Sequence, residues 1–300
     1  MGWRVTILSG LDDRAVGTLL GLNRLHEFEQ TEPEFPELIC VVFPNEASQL
    51  ETIPLSLDEA AIERCAQGHW QGKPCRLSRD NPIPWEIIDE VTKASWKHSE
   101  DQILLALPPP SSKPHNKPRT KDREEISAYQ IIHQRRSAVS FDGITSIAAN
   151  QFFTMLERVF PNPKLPVSQR PMPWDLIAWE PAIHLALFVH RVEGLLPGMY
   201  MFLRNPHIKD AFQSSMHKQF IWTTPENCPT SFPLYLLESG NAQNLATQVS
   251  CGQEIAGQSA FSLGMIAEFD TSLEKHGPWF YKRLFWEAGL VGQVLYLEAE

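Results

Sequence analysis

The chain has 300 residues, of which 43% are hydrophobic and 21% charged, and its formal net charge at pH 7 is −10. This composition is typical of a soluble globular protein that is long enough for two domains. The acidic balance excludes a general nucleic-acid binder, which needs a basic face. Five scattered cysteines and ten histidines lack the spacing of metal ligands, so we expect no metal site and reduced thiols. No stretch is typical of a signal peptide or a membrane span, and we expect a cytoplasmic protein without a membrane partner.

The first hundred residues predict a strand at 3–8, a helix at 11–22, a strand at 37–43 and a helix at 82–97. Asp12 and Asp13 suit the start of the first helix, and Gly21 suits its end. Residues 46–80 are more polar and irregular. A stretch rich in proline and without large apolar residues follows, and we expect an extended linker over 108–122. The linker separates a first region, 1–107, from a second, 123–300.

The second region mixes strands with long helices. The spacing of its apolar residues predicts helices at 126–136, 148–160, 242–251 and 279–300, with Ser127 as the cap of the first. Strands are predicted at 183–192, 199–204, 233–237 and 261–269, and the first two pair across a turn at 194–198. This pattern predicts an α+β domain built in layers.

Two arginines and a serine, Arg135, Arg136 and Ser137, end the first of these helices. Two guanidinium groups and a hydroxyl can hold a doubly charged phosphate through charge-assisted hydrogen bonds. The alternative is that the arginines are solvated charges, because cations are favourable at the C-terminal end of a helix. The residues alone leave both interpretations open.

Three motifs carry a resemblance to a known family. They are the segment from Ile131 to Gly143, which contains Arg-Arg-Ser; the turn Gly194-Leu195-Leu196-Pro197-Gly198-Met199-Tyr200; and the stretch Glu287-Ala288-Gly289 followed by Gln293. In this order they resemble the FMN-dependent nitroreductase superfamily, and in particular its SagB-type dehydrogenase branch. The resemblance implies a nitroreductase-like layered sandwich, with a central, mainly antiparallel sheet flanked by helices.

The same resemblance implies a function and a site. Arg135, Arg136, Ser137 and Gln293 would bind FMN, and Tyr281 and Lys282 would act as proton donor and base. A helix start with a solvated face is the alternative for the last two. NAD(P)H is a possible electron donor. The substrate would be a modified peptide whose azoline is oxidised, or a small electrophile that is reduced.

The resemblance also implies a partner, because nitroreductases bind FMN between two subunits. We expect a homodimer or a second nitroreductase-like module. Residues 1–44 resemble the end of such a module, and the second region resembles a module without its end, so a tandem protein is expected. A circularly permuted single domain is the alternative.

Three departures from the family pattern support a different hypothesis. Val139 and Val294 stand where the family often has a basic residue and an asparagine, and the stretch from Pro171 to Pro181 has no glycine for close approach of a flavin. The chain would then be a degenerate, non-catalytic module that serves as half of a pseudo-dimer or as a peptide-binding subunit.

Overall fold

The computed structural model describes residues 3–28, 33–44, 57–75, 85–100, 127–230 and 232–299; the linker predicted at 108–122 lies outside these ranges. The α-helices of the described residues are α1 (Asp13–Leu20), α2 (Glu59–Ala66), α3 (Glu86–Ala94), α4 (Ala128–Gln134), α5 (Ala149–Arg158), α6 (Lys209–Ser215), α7 (Gln243–Val249), α8 (Glu254–Gln258), α9 (Phe269–His276) and α10 (Tyr281–Ala299). The strands are β1 (Trp3–Ile7), β2 (Cys40–Pro44), β3 (Ile147–Ala148), β4 (Ile183–Val189), β5 (Val192–Glu193), β6 (Gly198–Phe202), β7 (Leu234–Ser239) and β8 (Phe261–Ala267).

The elements predicted from apolar spacing are present, most of them with shorter ends. The differences are short elements: α2 lies in the stretch interpreted as irregular, α6, α8, α9 and the strand β3 were not predicted at all, and the strand predicted at 183–192 is divided into β4 and β5. Helices of five to eight residues span about two turns, which is too few for a 3.6-residue period to stand out. Such helices depend on tertiary packing more than on their own propensity.

The chain divides into two compact units. The first comprises Met1–Ser112, Asp175–Trp179 and Phe269–Arg283, and the second comprises Lys113–Trp174, Glu180–Glu268 and Leu284–Glu300. The division after Ser112 falls inside the predicted linker. The domain limits proposed from the sequence, 1–107 and 123–300, stay a prediction.

The first unit contains an antiparallel pair of strands, with α1 between them in the chain, and a small core. Strands β1 and β2 are antiparallel, with Trp3 opposite Pro44 and Ile7 opposite Cys40. As predicted, α1 begins after Asp12, whose carboxylate accepts the N–H of Ala15 at 2.6 Å, and ends at Gly21. The core joins the two helices α1 and α2 and is formed by Leu8, Leu11, Ala15, Val16 and Ile62.

The second unit is built on a four-stranded antiparallel sheet with the strand order β7-β6-β4-β8. The short strands β3 and β5 form a separate parallel pair. Helices cover both faces of the central sheet. The prediction of an α+β fold with a mainly antiparallel central sheet flanked by helices is therefore confirmed.

One face of this sheet packs against α5 and α10. The Phe152 ring of α5 meets Phe261 edge-on at 5.0 Å, and Met265 Cε lies 3.9 Å from where a side chain at Gly292 of α10 would begin. Phe261 and Met265 share a face because they are four residues apart on β8. On the opposite face, α6 and the segment after it cover the buried residues Met201, Leu203, Trp222 and Leu237.

The turn predicted at 194–198 joins β4 to β6 through β5. A Cβ atom at Gly198 would lie 2.2 Å from the carbonyl oxygen of Glu238 on β7. Only glycine allows this approach, which occurs beside a register shift of β6 on β7 at Met199 and Tyr200. The glycine of this motif therefore has a structural reason that is independent of any ligand.

Candidate functional site

The arginine pair follows the end of α4. Ser127 caps the start of this helix by accepting the N–H of Gln130 at 3.1 Å, as predicted. The backbone leaves the helix at Arg135, whose φ and ψ are −54° and 134°. Arg136 folds back, and its Nη1 donates to the carbonyl oxygens of His133 at 3.0 Å and Arg135 at 2.8 Å. Arg136 thus satisfies carbonyl groups that the helix end leaves without partners.

Arg135 has a different environment, because its side chain extends to α10. Its Nη1 donates a long hydrogen bond, 3.5 Å, to Oε1 of Gln293. Its guanidinium carbon lies over the ring of Tyr296, 5.3 Å from the ring centre. Residues that are 158 positions apart in the chain are thereby joined.

These side chains line a surface cavity of about 580 Å³, formed by Arg135, Arg136, Ser137, Gly292, Gln293 and Tyr296. Two of the lining residues are cations and none is a carboxylate, so the cavity favours an anion. The structure brings together all four residues that the sequence assigned to FMN. A guanidinium, a second positive charge and a hydroxyl are the groups that suit a phosphate monoester.

The loop after Ser137 is held by a turn of its own. The Asp142 carboxylate accepts the hydroxyl proton of Thr145 and the N–H groups of Ile144 and Thr145, both at 2.9 Å. The hydroxyl hydrogen bond first, and then the two N–H groups, lower the pKa of Asp142 to about 2. Arg191 donates from Nε to the Thr145 carbonyl at 3.1 Å. Asp142 therefore shapes the loop.

A buried ion pair positions α10 in the second unit. The carboxylate of Glu287 accepts the N–H groups of Ala182 at 3.1 Å and Ile183 at 3.2 Å, and it pairs with Nη1 of Arg204. Arg204 also donates to the carbonyl oxygens of Val159 at 2.7 Å and Ile183 at 3.0 Å. Burial lowers the pKa of Arg204, and the charge of Glu287 opposes this shift. Because Glu287 lies on the same helix as Gln293 and Tyr296, the pair fixes the helix that forms one wall of the cavity.

The stretch from Pro171 to Pro181 places one tryptophan in the core. Trp174 is fully buried, its Nε1 donates to the Arg158 carbonyl at 2.8 Å, and the Arg204 guanidinium lies over its ring at 4.4 Å. In the family pattern a glycine-rich loop is expected here. This chain has instead a tryptophan that supports the ion pair.

The predicted catalytic pair, Tyr281 and Lys282, belongs to the first unit. Lys282 Nζ pairs with the buried carboxylate of Asp13 and lies 3.5 Å from the Pro36 carbonyl oxygen. The Tyr281 ring meets Phe269 edge-on at 5.6 Å. These contacts give Lys282 a structural role in its unit. The assignment of both residues as acid and base stays a prediction.

Tyr296 and Arg204 are the residues at these sites that the sequence did not indicate. Tyr296 follows Gln293 by three positions, which places both on one helix face, and this spacing could have identified it. Arg204 offers no local signal, because its partners Glu287, Val159 and Trp174 are distant in the chain. In the part of the chain that the structure describes, no group of three or more His, Cys, Asp or Glu side chains could hold a metal ion, and no helix is long and apolar enough to cross a membrane.

Comparison with known proteins supports the fold. No protein-family model and no curated protein matches the chain. A solved structure from Anabaena variabilis ATCC 29413, assigned as a nitroreductase, is similar with a TM-score of 0.56 and 16% sequence identity. The similarity covers 99% of this chain and 53% of that one, so the chain spans about half the length of the solved protein. The fold is therefore nitroreductase-like.

Proposed function

We propose that the chain binds FMN through the cavity beside Arg135 and is an oxidoreductase of the nitroreductase type, in its SagB-like branch. One observation carries the proposal: Arg135, Arg136, Ser137 and Gln293, which the family resemblance assigned to FMN, line one cavity without a carboxylate. Bound FMN would supply the hydride chemistry. The chain's own part is to hold the phosphate with Arg135 and Ser137, while the capping role of Arg136 keeps a second positive charge beside them.

Two reactions suit such a protein. One is the oxidation of azoline rings in modified peptides, and the other is the reduction of small electrophiles with NAD(P)H. Both reactions rest on the family resemblance and use the same residues to bind FMN. The family resemblance also supports Tyr281 and Lys282 as proton donor and base in the removal of a substrate proton. We propose a cytoplasmic location for the protein.

The test is FMN uptake by the purified full chain. We expect the protein to become yellow and to quench FMN fluorescence on titration. The double variant Arg135→Ala with Arg136→Ala should abolish uptake, because it removes both cations from the cavity. Arg64→Ala is the matched control, since Arg64 is an exposed cation in the last turn of α2 and does not line the cavity. Failure of the unchanged protein to take up FMN would overturn the proposal.

A second candidate is a non-catalytic module that pairs with another nitroreductase-like module or a second copy. Large apolar side chains on the surface of the second unit support it: Val139 is 92% exposed and Ile144 81%, and Leu297 of α10 is exposed as well. Exposed apolar side chains mark a contact site where they form one contiguous patch, and this candidate requires such a patch on the second unit. A protein that forms a dimer or a stable complex but takes up no FMN would favour this candidate. The tandem arrangement, with 1–107 as the end of a first module, is proposed together with either function.

A further inference from the structure

We propose that Tyr296 is a positioning residue for the phosphate-binding site. Its ring holds the Arg135 guanidinium so that the N–H groups of that guanidinium face the FMN phosphate. The inference rests on the proposed function and extends it to a residue that the family motif leaves open. The resemblance assigned Gln293 of the last helix to FMN and assigned no role to Tyr296.

The first step is the placement of Tyr296. Helix α10 carries Gln293 and Tyr296 one turn apart, and both line the cavity with Arg135. The guanidinium lies over the tyrosine ring at 5.3 Å from its centre, while its Nη1 reaches Gln293 at 3.5 Å. Two residues of one helix face therefore hold one cationic group.

The second step concerns the N–H groups of Arg135 that this arrangement leaves available for a phosphate. A guanidinium is planar, and its N–H donors lie in the plane, so contact of its face with an aromatic ring does not consume them. The contact with the Tyr296 ring at 5.3 Å and the hydrogen bond from Nη1 to Gln293 together restrict the motion of the guanidinium. The remaining N–H edge can then meet two oxygens of a phosphate in parallel.

The third step is the contrast with Arg136. Its Nη1 is engaged with the carbonyl oxygens of His133 and Arg135 at the end of α4. Arg136 is therefore held by the backbone, whereas Arg135 is held by side chains of α10. Removal of the Tyr296 ring would release Arg135 alone, and its long side chain would have to be ordered again each time the ligand binds.

The experiment compares FMN with riboflavin, which has the same ring system and no phosphate, as probes for the full-length protein. We expect Tyr296→Leu to weaken FMN binding about three- to tenfold, the range for loss of a cation–π contact and of side-chain ordering. Riboflavin binding should be unchanged. Tyr296→Phe keeps the ring and should retain the affinity for FMN.

Two controls separate positioning from a structural role. Tyr129→Leu removes an exposed tyrosine whose ring contacts that of His133, with ring centres 4.2 Å apart, and does not line the cavity; it should leave FMN binding unchanged. In the background of Arg135→Ala, Tyr296→Leu should weaken FMN binding no further, because the two residues act as one unit.

The outcomes are distinct. Equal affinity of Tyr296→Leu and the unchanged protein for FMN, or an equal loss for FMN and riboflavin, would overturn the inference while the proposed function stands. An additive loss in the Arg135→Ala background would overturn it as well. If the unchanged protein takes up no FMN, the proposed function fails and this inference fails with it.

Discussion

At the scale of single residues, the pair of Arg204 and Glu287 shows why removal of one buried charge is costly. Both side chains are fully buried, and water cannot replace a lost partner. A buried ion pair contributes little compared with an apolar pair of similar volume, but a lone buried charge is strongly destabilising. The two residues therefore depend on one another, and α10 depends on both.

We predict that Glu287→Ala lowers the free energy of unfolding by about 3–5 kcal/mol, because it leaves Arg204 buried without its counter-charge. Glu287→Gln should cost less, since one amide oxygen can still accept a backbone N–H. Urea unfolding of the full chain measures both. The matched control is Glu59→Gln, which breaks the exposed pair of Arg14 and Glu59 at 2.7 Å and should change nothing measurable. A similar loss of unfolding free energy in Glu287→Ala and in Glu59→Gln would show that burial of the pair of Arg204 and Glu287 is not the cause.

A second prediction at this scale concerns pH. His190 is buried and its Nε2 contacts the Ala256 carbonyl oxygen at 3.1 Å. Burial first, and then the nearby Arg191, lower the pKa of His190 below its usual 6.5, against the effect of the carbonyl. The unfolded chain therefore binds a proton at a higher pH than the folded chain. The free energy of unfolding should decrease as the pH falls from 6.5 towards the pKa of the folded state.

Replacement of this histidine by a residue without charge tests the prediction. His190→Gln should make the unfolding free energy depend less on pH between 7 and 5, measured by urea unfolding at several pH values. Part of the dependence should persist, because burial also lowers the pKa of His276. An identical pH profile for the variant and the unchanged protein would show that His190 does not contribute.

At the scale of elements, helix α1 shows how local residues set the limits of a helix. Asp12 caps its start, and Gly21 ends it with a positive φ of 72°. These are the signals by which the sequence predicted the helix. Gly17 lies inside the same helix. The helix interior favours alanine over glycine, whereas the positive φ at Gly21 favours glycine.

We predict that Gly21→Ala lowers the free energy of unfolding by about 1–2 kcal/mol, because alanine is strained at this φ. Its Cβ would also lie 2.9 Å from the Trp70 ring. Gly17→Ala should be neutral or stabilise the protein by up to about 1 kcal/mol, since its Cβ would meet only Pro36 at 3.9 Å. Urea unfolding of both variants distinguishes them. Equal effects would show that backbone conformation at Gly21 does not matter.

At the scale of the whole molecule, the expected partner is a second copy or a second module. We predict that the chain forms dimers in solution and that Leu297→Glu weakens them, because it places a charge on an exposed apolar position of α10. Sedimentation at several protein concentrations measures the effect. Leu25→Glu is the control, since Leu25 is 74% exposed in the first unit. A chain that stays monomeric at high concentration would contradict the prediction.

The sequence by itself determined the type of fold and most of its elements. Apolar periodicity showed the long helices and the strands, and capping residues such as Asp12, Ser127 and Gly21 showed where helices begin and end. These signals suffice because they act within a few residues of the chain. Short helices such as α6 and α8 lacked enough turns to be visible.

The tertiary structure decided which contacts each member of the arginine pair makes. The sequence left open whether Arg135 and Arg136 end a helix or bind a phosphate; the structure gives the two arginines different contacts, and phosphate binding stays a proposal. Arg136 contacts the helix end, and Arg135 contacts Gln293 and Tyr296 on a helix that is some 158 residues away. Contacts between segments so distant in the chain depend on the tertiary fold, and no local pattern contains that information. The same reason explains why Arg204, held by Glu287 in the core, could be identified only in the folded protein.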